Sequence, residues 1–427
     1  MKKITFLSIL SLCSIGLLPI CEGHRSTQDQ LNNNLIISID CANKVLNAYS
    51  GLYKTSDVDL LAMDGLNFTN VFLHAAPFAS IEAEQGNSAN QDIKLKPAIE
   101  GLVSMGYVGG ILRKRGKNGA PSDGTGSPVE DLNDVFSKPD IFSGAVFNLA
   151  WKELEPEQGK FTTKIIDDQL ARVRDYNKKY PNTPLGIRLR ISCGIAAPEW
   201  AKNIGGKPVN IIDPKGNYLT IGRFWSDEYI AAWRNFQNNL ARLYDNEPLI
   251  ADVTVTSGMT NSDENLNLAT HPYALENMHP AGFTDALYIK MLEEAGEDYK
   301  SWAKTRINFL INPFKYTDTD KPIEDKEFTV NLMKFYKKKY GERAILSNHS
   351  FQSPHTERLE FIYQGIKELG WPFDYQTHSP KGINMEATVK DAALIMGATT
   401  LELWNAYVTY PNEDLLRWKA LFKQNKK

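Results

Sequence analysis

Short apolar runs recur along this chain between amphipathic stretches, and from residue 97 onward the alternation becomes regular. Ile99, Leu102 and Val103 have helical spacing and lead into Tyr107-Val108-Gly109-Gly110-Ile111-Leu112, the first strand the pattern predicts in this region. Seven more strands are expected at 145–147, 185–191, 250–256, 307–311, 344–346, 373–376 and 400–404. Helical registers fall between most of them, at 129–136, 165–176, 227–243, 283–294, 328–340, 356–369 and 385–396. Eight strands in alternation with helices predict a (β/α)8 TIM barrel over residues 98–427.

The region before the barrel is less regular. Residues 24–34 are polar, Leu35-Ile36-Ile37-Ser38-Ile39 reads as a short strand, and 45–97 shows no clear unit, so 24–97 is expected to be a small N-terminal elaboration. Residues 1–23 read as an export signal: Lys2 and Lys3 precede an apolar run from Ile4 to Ile20, with cleavage expected after Gly23. That run is too short for a membrane span. Cys21 offers an alternative lipid anchor, although Pro19 and Ile20 before it suit that pattern poorly. The expected location is periplasmic, cell-surface or secreted.

Composition adds exclusions. With 23% charged and 11% aromatic residues, the chain has the make-up of a globular protein with a well-supplied core. A net charge of -3 gives no electrostatic footprint for nucleic acid. The Lys337-Lys338-Lys339 run lies in a helical register and reads as a solvated face. Beyond the leader region only Cys41 and Cys193 remain, without metal-like spacing. His271 and His279 lack zinc-ligand spacing, and neither a Gly-x-Ser-x-Gly elbow nor a Walker loop is present, so no cofactor is expected.

Two carboxyl groups suit the catalytic end of a barrel. In Thr400-Leu401-Glu402-Leu403-Trp404, alternation sets Glu402 and Trp404 opposite the leucines, facing the barrel mouth. A carboxylate inside an apolar strand needs a partner or a task, so Glu402 is either catalytic or ion-paired with Arg188 or Arg190. Glu264 follows the fourth strand, with Asp263 beside it as an alternative; Asp374, at the start of the seventh, is a weaker one. Two carboxyls flanking a bond are what glycosidic cleavage requires. Asn148, Arg188, Arg190, Asn312, His349, Gln376 and His378 would suit sugar hydroxyls, and Trp151, Trp200 and Trp404 could stack on sugar rings.

The stretch from Gly144 to Phe161 carries a resemblance. Trp151, Leu154, Glu155, Pro156, Gly159 and Phe161 resemble the W-x-x-L-E-P-x-x-G-x-[FY] segment after the second strand of β-galactosidase-like glycoside hydrolases, members of the large retaining clan of TIM-barrel glycosidases. Ala197-Pro198-Glu199-Trp200 is similar to their Pro-x-Trp segment after the third strand. The resemblance covers roughly residues 144–265, with a looser match at Glu402. It implies an exported glycosidase acting on oligo- or polysaccharides by retention, with Glu264 as acid/base and Glu402 as nucleophile. In that family the Glu155 position is more often structural than catalytic.

Two departures stand against the pattern. The clan's acid/base follows the fourth strand as Asn-Glu, whereas Glu264-Asn265 is reversed and stands several residues farther on. The nucleophile usually ends the seventh strand, whereas Glu402 counts as the eighth and Asp374–His378 holds no Glu. The competing expectation is a catalytically inactive barrel that binds glycans.

Overall fold

The computed structural model describes residues 94–106, 114–115, 121–122, 132–212, 218–260, 264, 272–318, 322–378, 382–404 and 410–424. The leader with Cys21, the strand expected at 35–39, Cys41, the strand expected at 107–112, and Asp263 lie outside the described residues.

Eight parallel strands close a barrel in chain order. They are β1 (Gly101–Ser104), β2 (Gly144–Ala150), β3 (Gly186–Ser192), β4 (Ile250–Val255), β5 (Arg306–Leu310), β6 (Ala344–Phe351), β7 (Phe373–Thr377) and β8 (Thr400–Leu403). A main helix runs between each pair of consecutive strands from β2 onward: α1 (Lys164–Lys179), α2 (Asp227–Tyr244), α3 (Asp285–Glu294), α4 (Lys326–Tyr340), α5 (Glu360–Leu369) and α6 (Met385–Lys390). Another, α7 (Asn412–Lys423), follows β8. Side chains of Ser226, Thr284, Asp325 and Asn384 cap the N-termini of α2, α3, α4 and α6, accepting backbone N–H groups that the first turn leaves free. Tyr229, Trp233, Phe236, Leu240 and Tyr244 recur at three- and four-residue spacing along α2, and that buried stripe seats the helix on the barrel.

One element differs from expectation. The barrel's first strand is Gly101–Ser104, where the spacing predicts a helix. All four residues are buried, and a run of four without an exposed face has no period to read. β1 pairs with β8 over four residues but with β2 over only two, Val103↔Gly144 and Ser104↔Ala145. β6 runs beyond Leu346 to Phe351, through the polar run Ser347-Asn348-His349-Ser350 that hides its length in the sequence. The register expected at 385–396 begins as α6 and continues as a π-helical turn over Asp391–Met396.

The barrel's N-terminal end is closed by the segment that enters it. Lys96 donates to Ile250 O and to Thr305 Oγ1, each at 2.8 Å, and its own carbonyl accepts Arg306 Nε at 3.1 Å. Burial pulls the Lys96 amine down to about 8. Ile99 then plugs the floor with Val103, Val146 and Ala251. Gly144 and Gly186 are register partners beneath it. A Cβ at Gly144 would come within 2.9 Å of Ile99, and one at Gly186 within 3.0 Å. Both positions are glycine because the plug fills the space of a side chain. A cavity of about 560 Å³ opens at this end, lined by Pro97, Phe142, Pro184, Pro248 and Lys419 among others. It lies opposite the end where barrel loops carry chemistry.

Candidate active site

The barrel interior is charged rather than filled with branched apolar residues, and strand alternation arranges the charges in two tiers. Arg188 and Arg190 are two apart on β3, Asp374 and Gln376 on β7, Thr400 and Glu402 on β8, so each pair shares a face. Register sets Asp374 beside Thr400 and Gln376 beside Glu402.

In the deeper tier Arg188 Nε donates to Asp252 Oδ1 at 2.7 Å, and its Nη1 reaches Asp374. Asp374 also accepts from Asn308 and Ser347, each at 3.1 Å, and from Thr400 Oγ1 at 2.7 Å. With four donors and no exposure it serves the fold, on the inner side of Gln376. In the upper tier Arg190 grips Glu402 with both terminal nitrogens, at 3.0 Å to Oε1 and 2.8 Å to Oε2. Arg188 Nη1 adds a bond to Oε2 at 3.1 Å, and Gln376 Nε2 donates to Oε1. His349 Nε2 stands 3.4 Å from Arg190 Nη2.

Glu402 is 0% exposed. Burial alone would raise its carboxyl pKa, but Arg190, His349 and Arg188 outweigh that and hold it at about 2. Burial works against the Arg188 cation too, yet Asp252, Asp374 and Glu402 keep it above its ordinary value. Burial lifts Asp252, with Arg188 opposing. Two guanidinium groups thus face three carboxylates, and the cluster carries one formal negative charge before His349 is considered. Each Glu402 oxygen accepts two hydrogen bonds, which uses the four acceptor positions of a carboxylate.

The other candidates divide. Asn148 is buried and donates to Gly106 O at 2.9 Å, which joins the ends of β1 and β2. His349 and Gln376 are buried in the upper tier, whereas His378 is exposed just past β7. Trp404 is half-buried past β8; its backbone N–H bonds Thr377 Oγ1 at 2.9 Å, and its indole nitrogen is buried with no partner among the described residues. Glu264 is 7% exposed, on the loop after β4.

Trp151 requires a correction. It is 0% exposed and packs between barrel and helix, its ring centroid 5.0–5.7 Å from those of Trp200, Tyr229, Trp233 and Phe236. Its indole N–H donates to Glu155 Oε2 at 2.9 Å, and Glu155 Oε1 accepts Gly159 N at 2.8 Å. Burial raises the Glu155 pKa against those two bonds. The Trp-x-x-Leu-Glu-Pro motif therefore pins its own loop, and Trp151 offers no face to a sugar.

Sequence reasoning missed Asp252, although Asp252 and Thr254 alternate with Val253 and Val255 and so signal an inward polar face. Among the described residues no group of three or more His, Cys, Asp or Glu could hold a metal ion, and no helix is long and apolar enough to cross a membrane.

No family model matches the chain, and no curated protein does. Among solved structures, endo-glycoceramidase II from Rhodococcus sp., as a lactosyl-enzyme intermediate, aligns over 73% of this chain and 75% of its own at 14% identity and a TM-score of 0.42. The catalytic domain of beta-amylase from Paenibacillus polymyxa aligns over 78% and 100% at 10% identity and a TM-score of 0.46. An endogalactoceramidase aligns over 73% and 74% at 16% identity and a TM-score of 0.41. Similarity this low carries no weight for the chemistry, and the barrel rests on its own strand register.

Proposed function

We propose that this protein is a glycoside hydrolase, with Glu402 as the ionised carboxylate beneath the scissile bond and Glu264 as the proton donor. The observation that carries the proposal is a fully buried carboxylate at the C-terminal end of β8, kept ionised by Arg190 and Arg188. A carboxylate held so far below neutral pH is charged whenever a cationic, oxocarbenium-like transition state forms. In a retaining course, a Glu402 oxygen bonds to the anomeric carbon as the leaving oxygen takes the Glu264 proton. Water then cleaves the glycosyl ester, with Glu264 as base. Arg190, His349, Gln376 and Trp404 would line the sugar's side of the site.

The four hydrogen bonds that occupy both Glu402 oxygens favour a second reading, a glycan-binding barrel without turnover. Attack on carbon needs a lone pair that the present bonding does not leave. A panel of nitrophenyl glycosides and oligosaccharides separates the two, comparing wild type with Glu264→Gln and Glu402→Gln and checking folding by circular dichroism. Hydrolysis that falls by about 10²–10⁴-fold in folded Glu264→Gln supports the hydrolase. Glycan binding by calorimetry with no hydrolysis of any substrate supports the second reading. Export belongs to the proposal on the strength of the Lys2–Ile20 pattern. A mature N-terminus at His24, read by mass spectrometry of the exported protein, checks it.

A further inference from the structure

The first turn of the loop after β4 is held by a carboxylate that has no part in the mouth. Asp298 is 3% exposed, in the short helical turn Glu297–Tyr299 that follows α3. Its Oδ2 accepts the Ser257 hydroxyl at 3.0 Å, and Ser257 Oγ accepts the indole N–H of Trp233 on α2 at 3.0 Å. Asp298 Oδ1 takes Arg234 Nε at 3.1 Å and Nη2 at 3.0 Å. The neighbouring Tyr299 hydroxyl accepts the Thr256 backbone N–H at 3.1 Å.

The rest of the turn fits the same purpose. Gly258 has φ +78°, and a Cβ there would lie 2.3 Å from Met291 on α3. Met259 N closes the turn on Thr256 O at 3.0 Å, and Thr260 O accepts Ile195 N at 3.0 Å. Residues 256–260 are thus fixed from two sides, four residues short of Glu264. Burial raises Asp298 to about 6, with Arg234 opposing and Glu294 adding to the rise; it is ionised at neutral pH. Burial raises the Tyr299 and Tyr340 phenols, and the Asp298 charge adds a little to both.

We propose that Asp298 is a positioning residue: through Ser257 it fixes the first turn of the β4 loop, and with it the place of Glu264 at the mouth. The proposal rests on the reading of Glu264 as proton donor. What matters at residue 298 is a short side chain with an acceptor for Ser257. Asparagine keeps that acceptor, and Arg234, 42% exposed, can turn to solvent. Alanine removes the acceptor and leaves the Ser257 hydroxyl without its anchor.

Hydrogen exchange of residues 256–260 tests this in wild type, Asp298→Ala, Asp298→Asn and Ser257→Ala, with amides 344–346 of β6 as the internal reference. Exchange about tenfold faster in Asp298→Ala and Ser257→Ala, with Asp298→Asn within about twofold of wild type and β6 unchanged, is the expected result. On a hydrolysed glycoside, Asp298→Ala lowers kcat with KM kept, and Asp298→Asn restores it. Exchange at 256–260 no faster than wild type, or equal acceleration in β6, overturns the proposal. If Asp298→Ala does not fold, Ser257→Ala decides by the same comparison. A wild type that hydrolyses nothing removes the proton-donor role of Glu264, while the exchange result still decides the clamp.

Discussion

Replacing Glu402 by glutamine tests the site and the fold together. The amide keeps the shape but loses the charge, and it brings an N–H₂ into a position where Glu402 now meets only donors. Arg190 then loses its bidentate partner inside the barrel. Removing one member of a buried ion pair costs about 3–5 kcal/mol, because the remaining charge stays desolvated. Linkage gives a similar figure. The folded pKa of about 2 lies well below the ordinary glutamate value of 4.5, and at about 1.36 kcal/mol for each tenfold change in proton affinity the gap corresponds to about 3 kcal/mol. Since the folded pKa is depressed, this stability is fully present above pH 4.5 and is lost as pH falls through the window down to about 2. Glu402→Gln is therefore expected to unfold in urea with a deficit of about 3–5 kcal/mol at pH 7, shrinking to less than half at about pH 3. In a thermal scan the neutral-pH deficit corresponds to a Tm lower by roughly 6–10 °C. A deficit below about 1 kcal/mol, or one that stays constant with pH, would refute the ion-pair account. The same result governs any activity assay, since lost hydrolysis in this variant points to chemistry only where the barrel is still folded.

Three further outcomes follow from other parts of the molecule. Gly186→Ala should cost about 1–3 kcal/mol by crowding Ile99, and in an Ile99→Ala background most of that cost should vanish; additive losses would show that the plug does not set the glycine. Glu155→Gln leaves one of its two N–H donors, Trp151 Nε1 or Gly159 N, without an acceptor, so stability should fall by about 1–2 kcal/mol with hydrolysis and glycan affinity unchanged; a selective loss of turnover would place Glu155 in the chemistry instead. Asp298 has a folded pKa raised from 3.8 to about 6, so its contribution is greatest at low pH and declines as pH rises through that window. The stability of wild type relative to Asp298→Asn should drop by about 2 kcal/mol between about pH 4 and pH 7, and parallel urea curves would contradict it.

Much of the barrel was legible because strand period and helix period differ. Leu185–Ile191 alternates, and the structure turns Arg188 and Arg190 inward as that alternation requires. Glu402 was legible for the same reason, down to its two arginine partners. β1 was not, because Gly-Leu-Val-Ser is buried on every side and carries no period to read. Trp151 was misplaced because a motif names residue types and not the direction they face. Only the ring contacts with α2 reveal that the indole points away from the barrel axis. Asp298 could not have been found from sequence, since its partner Ser257 is 41 residues away and the link depends on tertiary packing.

The pairing of charges in the interior sets which bond at Glu402 can yield. Arg188 is shared among Asp252, Asp374 and Glu402, so the deeper tier already holds its cation firmly. Losing the 3.1 Å contact to Glu402 would leave Arg188 paired twice over. Arg190 is different: both of its contacts with Glu402 are near 3 Å, and a swing of the carboxylate would weaken them together. If Glu402 is to free an oxygen for attack, the bond that yields is therefore Arg188 to Oε2 or Gln376 to Oε1, and Arg190 remains the hinge.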